Sequence, residues 1–368
     1  MKIAFLSHLD LNLYRFRLPV MKELLRRGHR VYAVCPKGEH ADRFTAEGVE
    51  VVHYPILRQS LNPLKELRTL RSLAEILRDL DPDIVHAFTH KPNIYGALCA
   101  PRHRIQTVTG LGSFFIDEGK KSLLVRRLIE GLYRWTARKS DRVIFQNSDD
   151  MRYFLNRAIV REEQARLVRS SGIDTEHFRP MEAPKELHRI AGIDGEPKPV
   201  VLMIARVIRD KGVREYLEAA QRLKDQAHFL YIGESDPGNK GAFHPDWGVV
   251  KPLGFRENVR EWIALSDLVV LPSYREGVPR TLLEAAAMGK ALVATDVPGC
   301  REVVRPEGNG LLVPAGDAEV LAEAMGELLA DDAKRERLAN ESRRIAVDEF
   351  DVRRVVEAYL SIYEELVQ

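Results

Sequence analysis

Asp267-Leu-Val-Val-Leu-Pro272, followed by Glu276-Gly-Val-Pro-Arg-Thr-Leu-Leu-Glu284, is the stretch that decides the fold. The first part is a short, unbroken apolar run, the pattern of a strand buried on both faces. The second part opens a helix running from Arg280 to Met288. Pro279 suits its first turn, where a missing N–H costs nothing. Gly277 allows the backbone to come close to a ligand. The next apolar run, Ala291 to Thr295, is again a strand. Strand, loop, helix and strand in this order describe a parallel α/β sheet, and ligands of such sheets bind just past the carboxyl ends of the strands.

The same alternation extends in both directions. Upstream, the spacing predicts strands at Val200–Ala205 and His228–Gly233 and a helix at Val213–Leu223. Downstream it predicts helices at Val320–Leu329, Asp331–Phe350 and Val352–Val367. The first half repeats the theme, with strands at Lys2–Ser7, Arg30–Cys35, Val49–Tyr54, Asp83–Phe88, Gln106–Thr109 and Asp141–Gln146. Helices are expected at Arg17–Arg27, closed by Gly28, and at Leu64–Leu80, opened by Pro63. The segment from Arg179 to Pro199, with four prolines, reads as a linker plus loop. Two α/β halves imply two Rossmann-like domains, 1–176 with 352–368 and 177–351, facing each other across a cleft.

Composition excludes several classes. At 368 residues, 45% hydrophobic and 30% charged, the chain can bury two cores and is not a disordered tail. No apolar run approaches the ~20 residues of a membrane span. The start has neither the apolar length nor the cleavage site of a signal peptide. Three cysteines, Cys35, Cys99 and Cys300, are far apart and odd in number, which argues for a reducing cytosol and against a disulfide framework or a zinc site. The net charge of +2 conceals a basic first half, with 31 Lys and Arg against 21 Asp and Glu in residues 1–180. That half is expected to meet something anionic. No nucleic-acid recognition motif accompanies the charge, so nucleic acid is not the expected partner.

The candidate site residues lie where strands end. Arg206 and Lys211, in Ile204-Ala-Arg-Val-Ile-Arg-Asp-Lys-Gly212, can neutralise a leaving diphosphate. The unpaired amides around Arg280, Thr281 and Leu282 form an anion site. Glu284 can accept from a ribose diol, and Glu276 can reach a sugar hydroxyl. Gly254, Phe255 and Arg256 follow a strand and can border a base, although Phe255 is also a natural core residue.

The Arg206…Lys211 pair, the Glu276-x7-Glu284 helix start, the Gly299-x-x-Glu302-Val-Val turn and the Asn309-Gly-Leu-Leu-Val-Pro314 strand together resemble family-4 glycosyltransferases of the GT-B fold. The resemblance spans essentially the whole chain. It implies a retaining, metal-independent transfer from a UDP-sugar, with no cofactor, and a last helix that crosses back to the first domain. It assigns Arg206 and Lys211 to the diphosphate, Glu276 to the donor sugar and Glu284 to the ribose. The amides near Val278 to Leu282 would contact phosphate and sugar, with Pro279 opening the helix and Gly277 letting the backbone come close. A UDP-sugar epimerase of the same fold, a non-catalytic sugar-binding protein and a transferase with a soluble acceptor are the alternatives.

The first half is expected to bind the acceptor. Asn12 follows the first strand, Thr89 and His90 the fourth, and Thr109 and Gly110 the fifth, with a merely structural histidine as the alternative for His90. The Gly-Gly pair that many relatives carry after the first strand is absent, and so is their sugar-contacting histidine near Thr109. His-Lys-Pro-Asn-Ile-Tyr-Gly (90–96) and Val-Thr-Gly-Leu-Gly-Ser (108–113) resemble bacterial enzymes that extend sugars on undecaprenyl diphosphate, a group shared with capsule and O-antigen transferases. That implies a polyprenyl-diphosphate acceptor and an N-acetylhexosamine donor, with N-acetylgalactosamine as the first choice. Residues 119–142 interleave Lys120, Lys121, Arg126, Arg127 and Arg134 with leucines and Trp135. They read as a basic amphipathic helix on an anionic leaflet, placing the protein peripherally at the cytoplasmic face of the membrane; the alternative is a core-packed helix with solvated cations.

Overall fold

The computed structural model describes residues 1–57, 62–111, 120–193, 197–236, 238, 239 and 241–367, the side chains of Lys120 and Lys121 excepted. The chain divides into two compact units, Met1–Gly172 with Val352–Gln368, and Ile173–Asp351.

Unit 1 is built on seven strands: β1 (Lys2–Leu6), β2 (Arg30–Cys35), β3 (Glu50–His53), β4 (Ile84–Phe88), β5 (His103–Val108), β6 (Arg142–Phe145) and β7 (Ala165–Leu167). All are parallel, in the order β3-β2-β1-β4-β5-β6-β7. Alternate residues of each strand serve opposite faces. Ile3, Phe5, Val31 and Ala33 pack under α1 (Asp10–Arg26) and α14 (Val352–Val367). Ala4, Leu6, Tyr32 and Val34 pack under α3 (Pro63–Leu80) and α4 (His90–Cys99). α5 (Lys120–Ala137) and α6 (Ser148–Asn156) cover β5 and β6 through Tyr133 and Phe154. α2 (Ala41–Ala46) caps the loop before β3.

α14 belongs to unit 1, as the sequence implied. It buries Val355, Tyr359 and Tyr363, and the Tyr363 hydroxyl meets Nδ1 of the buried His86 at 2.6 Å. Arg17, 3% exposed on α1, donates to the Tyr359 hydroxyl at 3.0 Å and lies 4.4 Å over the Phe88 ring. This explains why α1 begins seven residues before its expected start. Leu13, Arg17, Val20, Met21 and Leu24 form its inner face, and an arginine at a core position disguises the period.

Unit 2 has six parallel strands: β8 (Val200–Ile204), β9 (His228–Ile232), β10 (Val250–Pro252), β11 (Leu268–Leu271), β12 (Ala291–Thr295) and β13 (Gly310–Val313). Their order is β10-β9-β8-β11-β12-β13, the Rossmann arrangement, which reverses direction between β8 and β11. Val200 and Leu202 face α9 (Val259–Leu265), α10 (Arg280–Ala287) and α13 (Asp332–Glu349). Val201 and Met203 face α8 (Val213–Arg222) and α12 (Ala318–Ala330). The short α11 (Cys300–Val303) precedes β13.

The expected linker at 179–199 is not one. The described part of that segment forms α7 (Glu186–Ala191), and Leu187, Ala191 and Ile193 are buried in the core of unit 2. Its prolines flank a helix that this core needs. The chain instead passes between the units at Gly172–Ile173 and Asp351–Val352.

Candidate functional site

The carboxyl ends of β8 and β11 meet where the strand order of unit 2 reverses, and glycines press their loops together. Gly212, at φ +70°, precedes α8, and a Cβ there would overlap the Pro272 carbonyl. Gly233, at φ +144°, lies equally close to the Ala205 carbonyl. The Tyr274 amide donates to the Asp210 carbonyl at 2.9 Å. From the other side Gly299, at φ +84°, leaves room for the carbonyls of Glu276 and Gly277. The loop carrying Glu276 is thus held by backbone on both sides.

This packing brings Lys211 onto Glu276. The Lys211 ammonium pairs with Glu276 Oε1, and the Ser273 hydroxyl donates to the same oxygen at 2.7 Å. The two charged side chains are only 19% and 12% exposed. Sequence reasoning named both residues but placed one on phosphate and the other on sugar, without foreseeing that they touch. Cys300 is buried close by. Burial, reinforced by the charge of Glu276, pushes its thiol far up, so it is an inert apolar neighbour.

Arg206 stands apart from this pair. Its side chain is 54% exposed, and its Nη1 donates to Asp236 Oδ2 at 2.6 Å. Asp236 escaped the sequence reading, because it lies thirty residues on, after β9, and no motif marks it.

α10 begins at Pro279, which is extended and gives no side-chain cap. The amides of the first turn, around Thr281 and Leu282, precede the helix's own i→i−4 bonding. Its first turn contains no acid, so the dipole there favours an anion. Glu284, 7% exposed, accepts from Arg280 Nε at 2.8 Å on the same helix. Past β10, Gly254 takes φ +69° and its carbonyl accepts from the Gly233 amide at 2.9 Å. Phe255 is 54% exposed, so the core alternative for it fails. The Phe255 amide points to Glu234 at 3.4 Å, and the Arg256 guanidinium lies 5.9 Å from the Trp262 ring. Val278 is half-buried beside the helix start.

In unit 1 the strand order reverses between β1 and β4. His8, after β1, meets the Thr89 hydroxyl at 2.6 Å. Thr89 adopts φ 73° and ψ 166°, a backbone state normally reserved for glycine. Its hydroxyl goes to His8 and does not cap α4. His90 turns inward. Its Nδ1 meets the Tyr133 hydroxyl at 2.9 Å, and burial holds its pKa down at about 4. His90 is thus neutral and ties α4 to α5, which favours the structural reading of this residue. Asn93, which the sequence reading passed over, completes that tie by donating to the Thr107 carbonyl at 2.9 Å and to Tyr133 at 3.1 Å.

Asn12 is half-buried in the first turn of α1, and Thr109 and Gly110 are half-buried after β5. Asp10 was also missed. Its carboxylate accepts from the amide and ring of His40, both at 3.0 Å, and from the Leu11 amide at 2.7 Å. Burial alone would raise its pKa, and these bonds reverse the sign to a net lowering. It clips the loop after β2 onto α1.

α5 is amphipathic, but not as a simple basic stripe. Tyr133, Thr136 and Ala137 face the core, while Leu124, Leu128 and Trp135 are 70%, 61% and 49% exposed. Arg127 is exposed beside them, and Lys139 lies 5.8 Å from the Trp135 ring. Arg126 and Arg134 are half-buried, with Arg134 donating to the Arg157 carbonyl at 3.1 Å. The side chains of Lys120 and Lys121, and residues 112–119, lie outside the described set. Among the described residues no helix is long and apolar enough to cross a membrane.

Known proteins share this organisation. Residues 198–331 match the family described as "Glycosyl transferases group 1", and residues 16–170 match "Glycosyl transferase 4-like domain". The chain is 34% identical, over the full length of both proteins, to the Campylobacter jejuni N,N'-diacetylbacillosaminyl-diphospho-undecaprenol alpha-1,3-N-acetylgalactosaminyltransferase. It is 24% identical to the Escherichia coli UDP-Gal:alpha-D-GlcNAc-diphosphoundecaprenol alpha-1,3-galactosyltransferase, with 91% of this chain and 88% of that protein covered. Among solved structures, Anabaena HepE in complex with UDP matches with a TM-score of 0.81 at 21% identity, over 100% of each chain. Sucrose-phosphate synthase from Thermosynechococcus elongatus gives the same TM-score, covering 100% of this chain and 99% of that one. These two likenesses are of fold.

Proposed function

Because the chain belongs to the group 1 glycosyltransferases, with a glycosyltransferase 4-like first unit, we propose that this enzyme moves an N-acetylhexosamine, N-acetylgalactosamine by preference, from a UDP-sugar to a polyprenyl-diphosphate-linked saccharide. The observation that carries the transfer chemistry is the Lys211, Glu276 and Ser273 cluster at the carboxyl ends of β8 and β11. Cations and a helix N-terminus at that edge suit a departing diphosphate. The acceptor class is supported by the names of the Campylobacter and Escherichia relatives, both of which act on diphosphoundecaprenol-linked sugars.

In this reading the donor diphosphate takes Asp236's place on Arg206 and lies against Lys211 and the amides of Arg280 to Leu282. Glu276 accepts from a hydroxyl of the donor sugar, Glu284 from the ribose, and Gly254 to Arg256 border the uracil. The bond from the anomeric carbon to the phosphate oxygen breaks as the acceptor oxygen bonds to that carbon on the same face. The departing phosphate oxygen takes the acceptor's proton, and because attack is on the face that the phosphate leaves, the configuration is retained. The protein's own cations carry the leaving charge, so turnover should survive chelation. The exposed Leu124, Leu128 and Trp135 of α5 rest on the cytoplasmic leaflet, with Arg127 and Lys139 on anionic headgroups.

The test is UDP release from a panel of UDP-sugars, with and without a synthetic polyprenyl-diphosphate monosaccharide. Release from a UDP-N-acetylhexosamine only in the presence of the lipid supports the reading. UDP binding without lipid-dependent turnover refutes the acceptor, and inverted anomeric configuration in the product refutes retention.

A further inference from the structure

Unit 1 carries a groove that the donor site does not use. It lies at the carboxyl ends of β2 and β3, against the first two turns of α3, and has a volume of about 570 Å³. That volume falls within the range of small-molecule sites. Buried Tyr54, with Ile56, Leu57 and Pro36, gives it an apolar lining. Three exposed cations line it as well: Lys37 after β2, and Lys65 and Arg68 on α3.

Two features mark these cations as more than surface charge. Lys65 and Arg68 sit at the amino end of α3, where the helix dipole disfavours positive charge. None of the three has an acid partner among the described residues, whereas Arg27, Arg30 and Arg102 of the same unit all do. The one acid in that first turn, Glu66, is occupied by Lys91 at 3.0 Å and by the Tyr95 hydroxyl. Lys91 also donates to the Leu57 carbonyl at 2.9 Å, which fixes the apolar wall to the helix. Leu57 at the rim of the groove, and Leu64 and Leu67 beyond it, are exposed, so the apolar surface continues outward.

We propose that this groove holds the diphosphate and first isoprene units of the polyprenyl carrier, the cations taking the phosphates and the apolar lining the chain. The proposal rests on the lipid-carrier reading above. An amphiphile with a doubly anionic head and a hydrocarbon tail is what cations around an apolar slot complement, and among the described residues the groove's lining, which also includes His53 and Thr69, holds no acid.

The test titrates the intact protein with farnesyl diphosphate, inorganic diphosphate, farnesol and vesicles of anionic phospholipid. Farnesyl diphosphate should bind at least tenfold more tightly than diphosphate or farnesol. The double variant Lys65→Ala/Arg68→Ala, and separately Ile56→Asp, should weaken it at least tenfold and leave UDP affinity unchanged, which also checks folding. Equal farnesyl diphosphate binding by wild type and variants overturns the proposal. So does a loss confined to vesicle binding, which would make the groove a membrane contact. If wild type turns over the lipid-linked acceptor and the variants keep its KM, the groove falls while the lipid-carrier reading stands. If wild type shows no lipid-dependent turnover, both fall.

Discussion

Replacing Glu276 with glutamine separates the roles that meet at this residue. The variant keeps size and can still accept from Ser273, but it removes the charge facing Lys211. Both side chains are less than one-fifth exposed, so the lost bond is charge-assisted and only partly screened. Such bonds contribute about 1.5–3 kcal/mol. At about 2–4 °C per kcal/mol for a unit of this size, Tm should fall by about 3–12 °C. If Glu276 also accepts from the donor sugar in the transition state, a loss of the same size lowers kcat by about 10- to 150-fold with little change in KM. UDP lacks the sugar, so UDP affinity should hold or rise as Lys211 is released to the phosphate. The assays are thermal denaturation, UDP titration and UDP release at saturating donor. A kcat within threefold of wild type, alongside a lowered Tm, would show that the pair is structural and would remove Glu276 from the chemistry.

Glu284→Ala should instead weaken UDP binding about 10- to 150-fold, read by calorimetry, since it removes a ribose partner. Stability should depend on His90: its folded pKa of about 4 lies below the unfolded value of about 6.5, so only the unfolded chain takes up the proton between them. Stability is therefore lost as pH falls from about 6.5 to about 4, by up to about 3 kcal/mol, and denaturation curves of His90→Gln should lack that component. Leu124→Glu with Leu128→Glu should abolish co-sedimentation with anionic vesicles at unchanged Tm, because both side chains are exposed. Gly212→Ala should lower Tm by several degrees, because the residue has φ +70° and its Cβ would strike the Pro272 carbonyl.

Much of the fold is legible in the sequence because parallel strands buried on both faces are unbroken apolar runs. β1, β2, β4, β8, β11 and β12 all announce themselves that way. What escapes depends on tertiary context. α4 is hidden because its inner face carries Asn93 and Tyr95 in place of aliphatics, and its first turn contains Pro92. α7 is hidden because prolines surround it. In the candidate site, strand ends pointed to Arg206, Lys211, Glu276 and Glu284 individually. Their partners were not legible, since Lys211 and Glu276 are 65 positions apart and Asp236 belongs to no motif. For His90 the sequence leaves an acceptor-side and a structural reading open, and only the Tyr133 contact reveals a neutral internal tie.

The docking of α14 onto unit 1 has a consequence for biosynthesis. A ribosome delivers the whole of Ile173–Asp351 before the helix that covers Ile3, Phe5 and Val31. The first-made half must wait, with one side of its sheet uncovered, while the later-made half can already complete its own core. Domains usually mature in the order of synthesis; here that order is inverted. Nascent chains that stall anywhere before Val352 expose an apolar surface for chaperones and proteases to find, so the first unit finishes folding only once α14 has been made.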